Sequence, residues 1–162
     1  MSRRWGKRCW RLRPMADIAF HLNAPDKLGY TCRLLRKAHA RGARVVVHGV
    51  ESELTQLDQA LWRLEGPDFV PHCVDSDSPQ VQRVSPILLT ALAPLNQAFE
   101  ASVLVNLGEA VPEGFERFER VIEVVTAFAP AVAQARMRWK TYKAGGQEPY
   151  AHDLDHMHAP KG

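Results

Sequence analysis

A chain of 162 residues with 46% hydrophobic content has the length and apolar share of one globular domain with a full core. No apolar run approaches the roughly 20 residues of a spanning helix and residues 1–14 lack the apolar stretch of a secretory signal, so neither membrane insertion nor export is expected. The net charge of +3 is concentrated at the amino end, for 15 basic residues face 18 acidic ones from Met15 onward, which argues against polyanion binding over the whole surface.

Residues 1–14 hold Arg3, Arg4, Lys7, Arg8, Arg11 and Arg13 and no acid, and read as a disordered basic extension or an over-extended start. The second reading is favoured because the first periodic segment, Asp17 to Leu22, begins just after Met15. From there short apolar runs alternate with longer amphipathic stretches, the pattern of an α/β domain with a mainly parallel sheet flanked by helices in three layers.

Ile18 to Leu22 is a predicted strand. A helix follows, with Pro25 in its first turn, Leu28, Cys32 and Leu35 on its core side and Gly42 as its stop. Arg44 to His48 is a buried strand, and together these make a β-α-β unit. Ser52 suits the N-cap of a second helix with the core stripe Leu54, Leu57, Leu61 and Leu64. Trp62 lies off that stripe, either packed under a loop or offered to a partner.

Glu65 to Asp68 is a turn, and Pro71 confines Phe69-Val70-Pro71-His72 to a sheet edge. After the polar loop Asp75–Pro79, strands are expected at Ser85–Thr90 and Ala101–Asn106, joined by a connection containing Pro94 and Asn96. Pro112 is read as opening a helix with Phe115, Phe118, Val121, Ile122 and Val125 on one face. Its carboxylates Glu113, Glu116, Glu119 and Glu123 then fall on a solvated side.

A last helix follows Pro130, and the single domain is expected to span 15–146. The polar tail 147–162 reads as loose. Arg136, Trp139, Lys140 and Lys143 recur on one side of the last helix with Val132 a turn earlier. Such cations beside a large ring suit a ligand that is both anionic and apolar, such as an acidic peptide end or a nucleotide strand, although a solvated helix end complementing the macrodipole accounts for the same residues.

No glycine-rich phosphate cradle or G-x-S-x-G elbow occurs, which leaves a small-molecule enzyme on the α/β sheet as a third reading without the usual cradle; no cofactor and no intrinsic catalysis are expected. The odd, sparse set Cys9, Cys32 and Cys73 has no metal-ligand spacing and predicts reduced thiols in the cytosol, without a disulfide. His152, His156 and His158 lie in the polar tail, where no metal site is expected.

Three segments, Leu57-Asp-Gln-Ala-Leu-Trp62, Phe69-Val-Pro-His72 and Arg136-x-Arg-Trp-Lys-x-Tyr-Lys143 with its following glycine, resemble in order and spacing the chi subunits of bacterial DNA polymerase III. The resemblance covers Met15 to about Gly146. It implies a Rossmann-like fold without nucleotide chemistry and an accessory role in the DNA polymerase III holoenzyme during replication.

The family's two docking partners would be the clamp-loader subunit psi and the acidic C-terminal tail of single-stranded-DNA-binding protein (SSB). By position, Trp62, Phe69, Val70, Pro71 and His72 match the psi side, where a helicase is a further candidate occupant. Val125, Arg136, Trp139 and Lys140, with Lys143 on the same face, match the SSB-tail side. The family commonly has tyrosine where Trp139 stands, which keeps an aromatic wall and removes a hydroxyl. The alternative is a module that binds single-stranded nucleic acid directly through the last helix.

Overall fold

Short runs rich in apolar and β-branched residues form the middle of the sheet in the computed structural model, which describes residues 16–93, 95 and 98–155. In chain order the strands are β1 (Asp17–Ala24), β2 (Val45–His48), β3 (Cys73–Val74), β4 (Ile87–Thr90), β5 (Val103–Asn106), β6 (Arg120–Thr126) and β7 (Tyr150–Asp153). They lie in the order β3-β4-β2-β5-β6-β1-β7, and every pairing is parallel. A parallel sheet must be covered on both faces, and among the described residues helices α1 (Lys27–Ala40), α2 (Glu51–Trp62), α3 (Pro79–Val84) and α4 (Ala129–Ala144) help to cover it.

Leu35 of α1 and Leu54, Leu57 and Leu61 of α2 pack on Val45, Val47, Ile87 and Leu89 on one face. Ala135 and Tyr142 of α4 join Phe20, Val46, Leu88, Leu104, Phe118 and Val121 on the other. The three-layer α/β expectation therefore holds. Leu57 and Leu61 are fully buried, each contributing about 1.5–3 kcal/mol of transfer free energy. Gly42 ends α1 at φ 77°, a conformation that costs a side-chain-bearing residue more than glycine. Among the described residues no helix is long and apolar enough to cross a membrane.

Several expectations are corrected. The stretch 112–125 contains a 3-10 turn at Phe115–Arg117 and then β6, not a helix. Its apolar spacing fits a helical face, but Val121, Ile122, Val124 and Val125 also suit a strand buried on both sides. Ile122 and Val124 enter one core cluster, Val121 and Val125 the other. Glu123, assigned to a solvated face, is thereby carried inward and is 0% exposed, while Glu113, Glu116 and Glu119 remain exposed.

The tail expected to be loose after Gly146 supplies β7, paired with β1 from Ala19↔Tyr150 to Leu22↔Asp153. Asn23, at φ 60°, sits where β1 shifts register, and its side-chain amide donates to Asp153 at 2.9 Å. A polar strand can dock here because backbone pairing and side-chain hydrogen bonds replace an apolar face.

Smaller corrections concern helix starts. The N-cap positions of α1 and α2 are Asp26 and Val50, so Pro25 precedes the first helix and Ser52 lies inside the second. Cys32 and Cys73 are free thiols. Residues 1–15, including Cys9, and Pro94, Asn96, His156 and His158 lie outside the described residues.

Candidate docking faces and a buried ionic network

α4 begins with Ala129-Pro130, after the N-cap Phe128, and contains no acidic residue. Its rotation separates neighbouring cations. Arg136, Lys140 and Lys143 are exposed, whereas Arg138, two residues from Arg136, is 5% exposed and faces the sheet. None of the three exposed cations has an ion pair among the described residues. Trp139 is half-buried, its ring 5.0 Å from that of Phe20, so one side is fixed in the core cluster. Val125 belongs to the same cluster at 2% exposure, beneath the helix instead of on its surface.

Inward-facing Arg138 meets Glu123. Its Nε donates to the Glu123 carboxylate at 3.0 Å and its Nη1 to the Glu109 carbonyl at 3.1 Å. The Tyr142 hydroxyl donates to the same carboxylate at 2.8 Å, and the Asn106 amide donates to both oxygens at 2.9 and 3.1 Å. Burial pushes the Glu123 carboxyl up, against the opposing pull of Arg138, Asn106 and Tyr142. Burial, then the Glu123 charge, pushes the Tyr142 hydroxyl up, which keeps it a donor.

Asn106 also bonds the Ala110 carbonyl and receives the Gly108 amide, so the network ties the loop after β5 to β6 and α4. A cavity of about 300 Å³ opens beside it at the carboxyl ends of β5 and β6, lined in part by Lys27, Glu53, Phe128, Gln134 and Arg138. Lys27 there pairs with Glu53 at 2.9 Å and donates to the Leu107 carbonyl at 2.9 Å, so both lining cations are already engaged.

The second candidate face lies at the carboxyl end of α2. Trp62 is 61% exposed, with its ring 5.6 Å from Phe69 and 5.1 Å from His72. His72 is buried, and its two ring nitrogens meet the Val70 carbonyl at 3.0 Å and the Asp58 carboxylate at 2.7 Å. Both partners are hydrogen-bond acceptors, so the ring is held from two sides. Val70 is fully buried and Pro71 half-buried. The structure thus brings Trp62, Phe69 and His72 into one aromatic group, held from below by Val70.

Sequence reasoning missed Glu123, Arg138, Tyr142 and Asn106 as a unit. A signal was available in Arg138 and Tyr142, which are four apart on the side of the helix away from Arg136. The charge pattern drew attention to the exposed residues instead.

An all-parallel sheet between two helical layers places the protein in the Rossmann-like α/β class. The C-terminal domain of the DEAD-box protein Dbp5 shares this fold with a TM-score of 0.54 at 15% identity, over 87% of this chain and 91% of that one. Residues 15–149 match the family model "DNA polymerase III chi subunit, HolC", and the chain belongs to that family.

Among relatives, the DNA polymerase III subunit chi of Pseudomonas aeruginosa is 30% identical over 130 residues, 79% of this chain and 87% of that protein. The subunit of the same name from Haemophilus influenzae is 26% identical over 116 residues, 71% of this chain and 78% of that protein.

Proposed function

We propose that this chain is a non-catalytic bridge in the replicase, holding the C-terminal tail of SSB on α4 and psi on the Trp62 face. The carrying observation is that Arg136, Lys140 and Lys143 stand exposed beside Trp139, without an ion-pair partner among the described residues, on a helix with no acid of its own. An SSB tail ends in aspartates, an aromatic residue and a free carboxylate. Arg136 and Lys140 are placed to engage the negative groups, and Trp139 offers an apolar wall for the ring, with Val125 in the floor beneath.

Charge-assisted contacts of this kind are worth about 1.5–3 kcal/mol, so Arg136→Ala or Lys140→Ala should lower affinity for a labelled SSB-tail peptide by about tenfold or more. Added salt should weaken the wild type as well. Unchanged peptide binding in both variants would remove the assignment.

The partly exposed Trp62–Phe69 pair fits the anchor of a protein interface, where one or two aromatic residues carry most of the affinity. Trp62→Ala and Phe69→Ala should leave the peptide titration unchanged and weaken capture of psi in a pull-down. Loss of both activities together would point to unfolding, and full capture by both variants would reject the face.

A further inference from the structure

The segment from Lys27 to Val50 contains six Lys and Arg and no carboxylate, although residues 16–155 hold all 18 acids of the chain against 14 Lys and Arg. Arg33, Lys37 and Arg41 follow one another at four-residue spacing along α1 and its C-cap. Each step rises about 6 Å and turns about 40°, which makes a continuous stripe. All three are exposed, and none has an ion pair among the described residues. Arg36 alongside is paired with Asp68. α1 covers the face of the sheet opposite α4, so the SSB-tail reading leaves this stripe without a role.

Near its amino end the stripe meets a row of rings. Arg33 lies 6.0 Å from the Tyr30 ring, and Tyr30 is hydrogen-bonded to His21 of β1. The His21 ring is 5.3 Å from that of His152, which is 5.3 Å from that of Tyr150. Side-chain alternation puts all three on the α1 side. Phe20 packs into the opposite cluster, and Ala19 and His21 are the register partners of Tyr150 and His152. Tyr150 and His152 are exposed, and they lie beyond the segment 15–149 that matches the chi family. Asp17, the nearest carboxylate to Tyr150, is already held by Arg120 at 3.1 Å and by the Tyr150 hydroxyl.

We propose that the Arg33–Lys37–Arg41 stripe and the Tyr150–His152 rings together bind single-stranded nucleic acid directly. A row of cations one helical turn apart suits a backbone that carries a charge at every nucleotide, and flat exposed rings at its end suit the faces of bases. An acidic peptide would use the cations and leave the rings without a role, so the joint feature favours a nucleic acid strand. The protein then holds the SSB tail on one face and touches the strand with the other.

The test is fluorescence anisotropy of a labelled oligothymidylate titrated with the full chain at several salt concentrations. Arg33→Gln/Lys37→Gln/Arg41→Gln, which preserves helix propensity, should lose at least about tenfold in affinity. Its plot of log affinity against log salt should flatten by about 2, at about 0.7 per phosphate contact. Tyr150→Ala/His152→Ala should lose about tenfold with the slope unchanged.

Melting temperatures of the triple variant and the wild type should agree, because the three side chains are exposed. Arg136→Ala/Lys140→Ala should bind the oligonucleotide normally, so a failure of the SSB-tail assignment, read with the peptide, is separable from a failure here. Wild-type oligonucleotide affinity in the triple variant overturns the proposal. So does equal competition by a polyglutamate of matched charge combined with indifference to the ring substitutions, which assigns the stripe to acidic peptides.

Discussion

Removing the Glu123 carboxylate would leave the Arg138 guanidinium inside the protein with its bond to the Glu109 carbonyl and no opposing charge. Breaking one side of a buried ion pair costs about 3–5 kcal/mol, so Glu123→Ala should lower the urea midpoint by that equivalent. Glu123→Leu/Arg138→Met should recover much of the loss, because no unmatched charge remains and the apolar surroundings accept the replacements. A double variant as unstable as the single one would show that hydrogen bonds to Tyr142 and Asn106, more than charge balance, set the value of the network. Glu123 differs locally from Glu116 and Glu119 in its β-branched neighbours Val121, Ile122, Val124 and Val125, which suit a buried strand. Only the conversion of its segment from helix to strand turns it inward.

At the level of elements, the β1–β7 edge should respond to acid. Burial lowers the His21 pKa from 6.5 to about 4, with smaller contributions from His152 and Arg120. Between those values the unfolded chain binds a proton that the folded chain refuses. This contribution to stability is complete above about pH 6.5 and is lost as pH falls toward 4. Hydrogen exchange should show the β7 amides losing protection across that window, and His21→Phe should reduce the effect. Burial also lowers the pKa of His48, so global stability in that variant should keep part of its acid dependence.

Strands β1, β2, β4 and β5 were legible as short apolar runs between turn residues and helices α1 and α2 from their apolar spacing, whereas α4 was legible from the spacing of its cations after Pro130. β6 was not, since an apolar run with glutamates satisfies both periods. β7 was not, since its four residues bury almost nothing and owe their place to an open edge on β1. The exposed candidates on α4 were legible from charge and helical spacing, while the depth of Val125 and the inward turn of Arg138 depend on how the helix sits on the sheet.

At the scale of the molecule, a chain ended at residue 149 should keep the six strands β1 to β6 and lose β7 together with Leu154, which is 6% exposed in the core cluster. Loss of a buried leucine contributes about 2–5 kcal/mol, so urea unfolding should remain cooperative with a lower midpoint. A chain without cooperative unfolding would make β7 a condition of folding instead of an addition to it.

The sheet order also sets a schedule. Among the described strands β1 is synthesised first, and its neighbours are β6 and β7, so its backbone groups at Asp17 must wait for a partner at Arg120. Until β6 has been made, β1, with its apolar side chains Ile18 and Phe20, has no neighbouring strand to pair with. Closure of this sheet is therefore a late event with a long loop to close, and β1 is the described strand with most need of a chaperone.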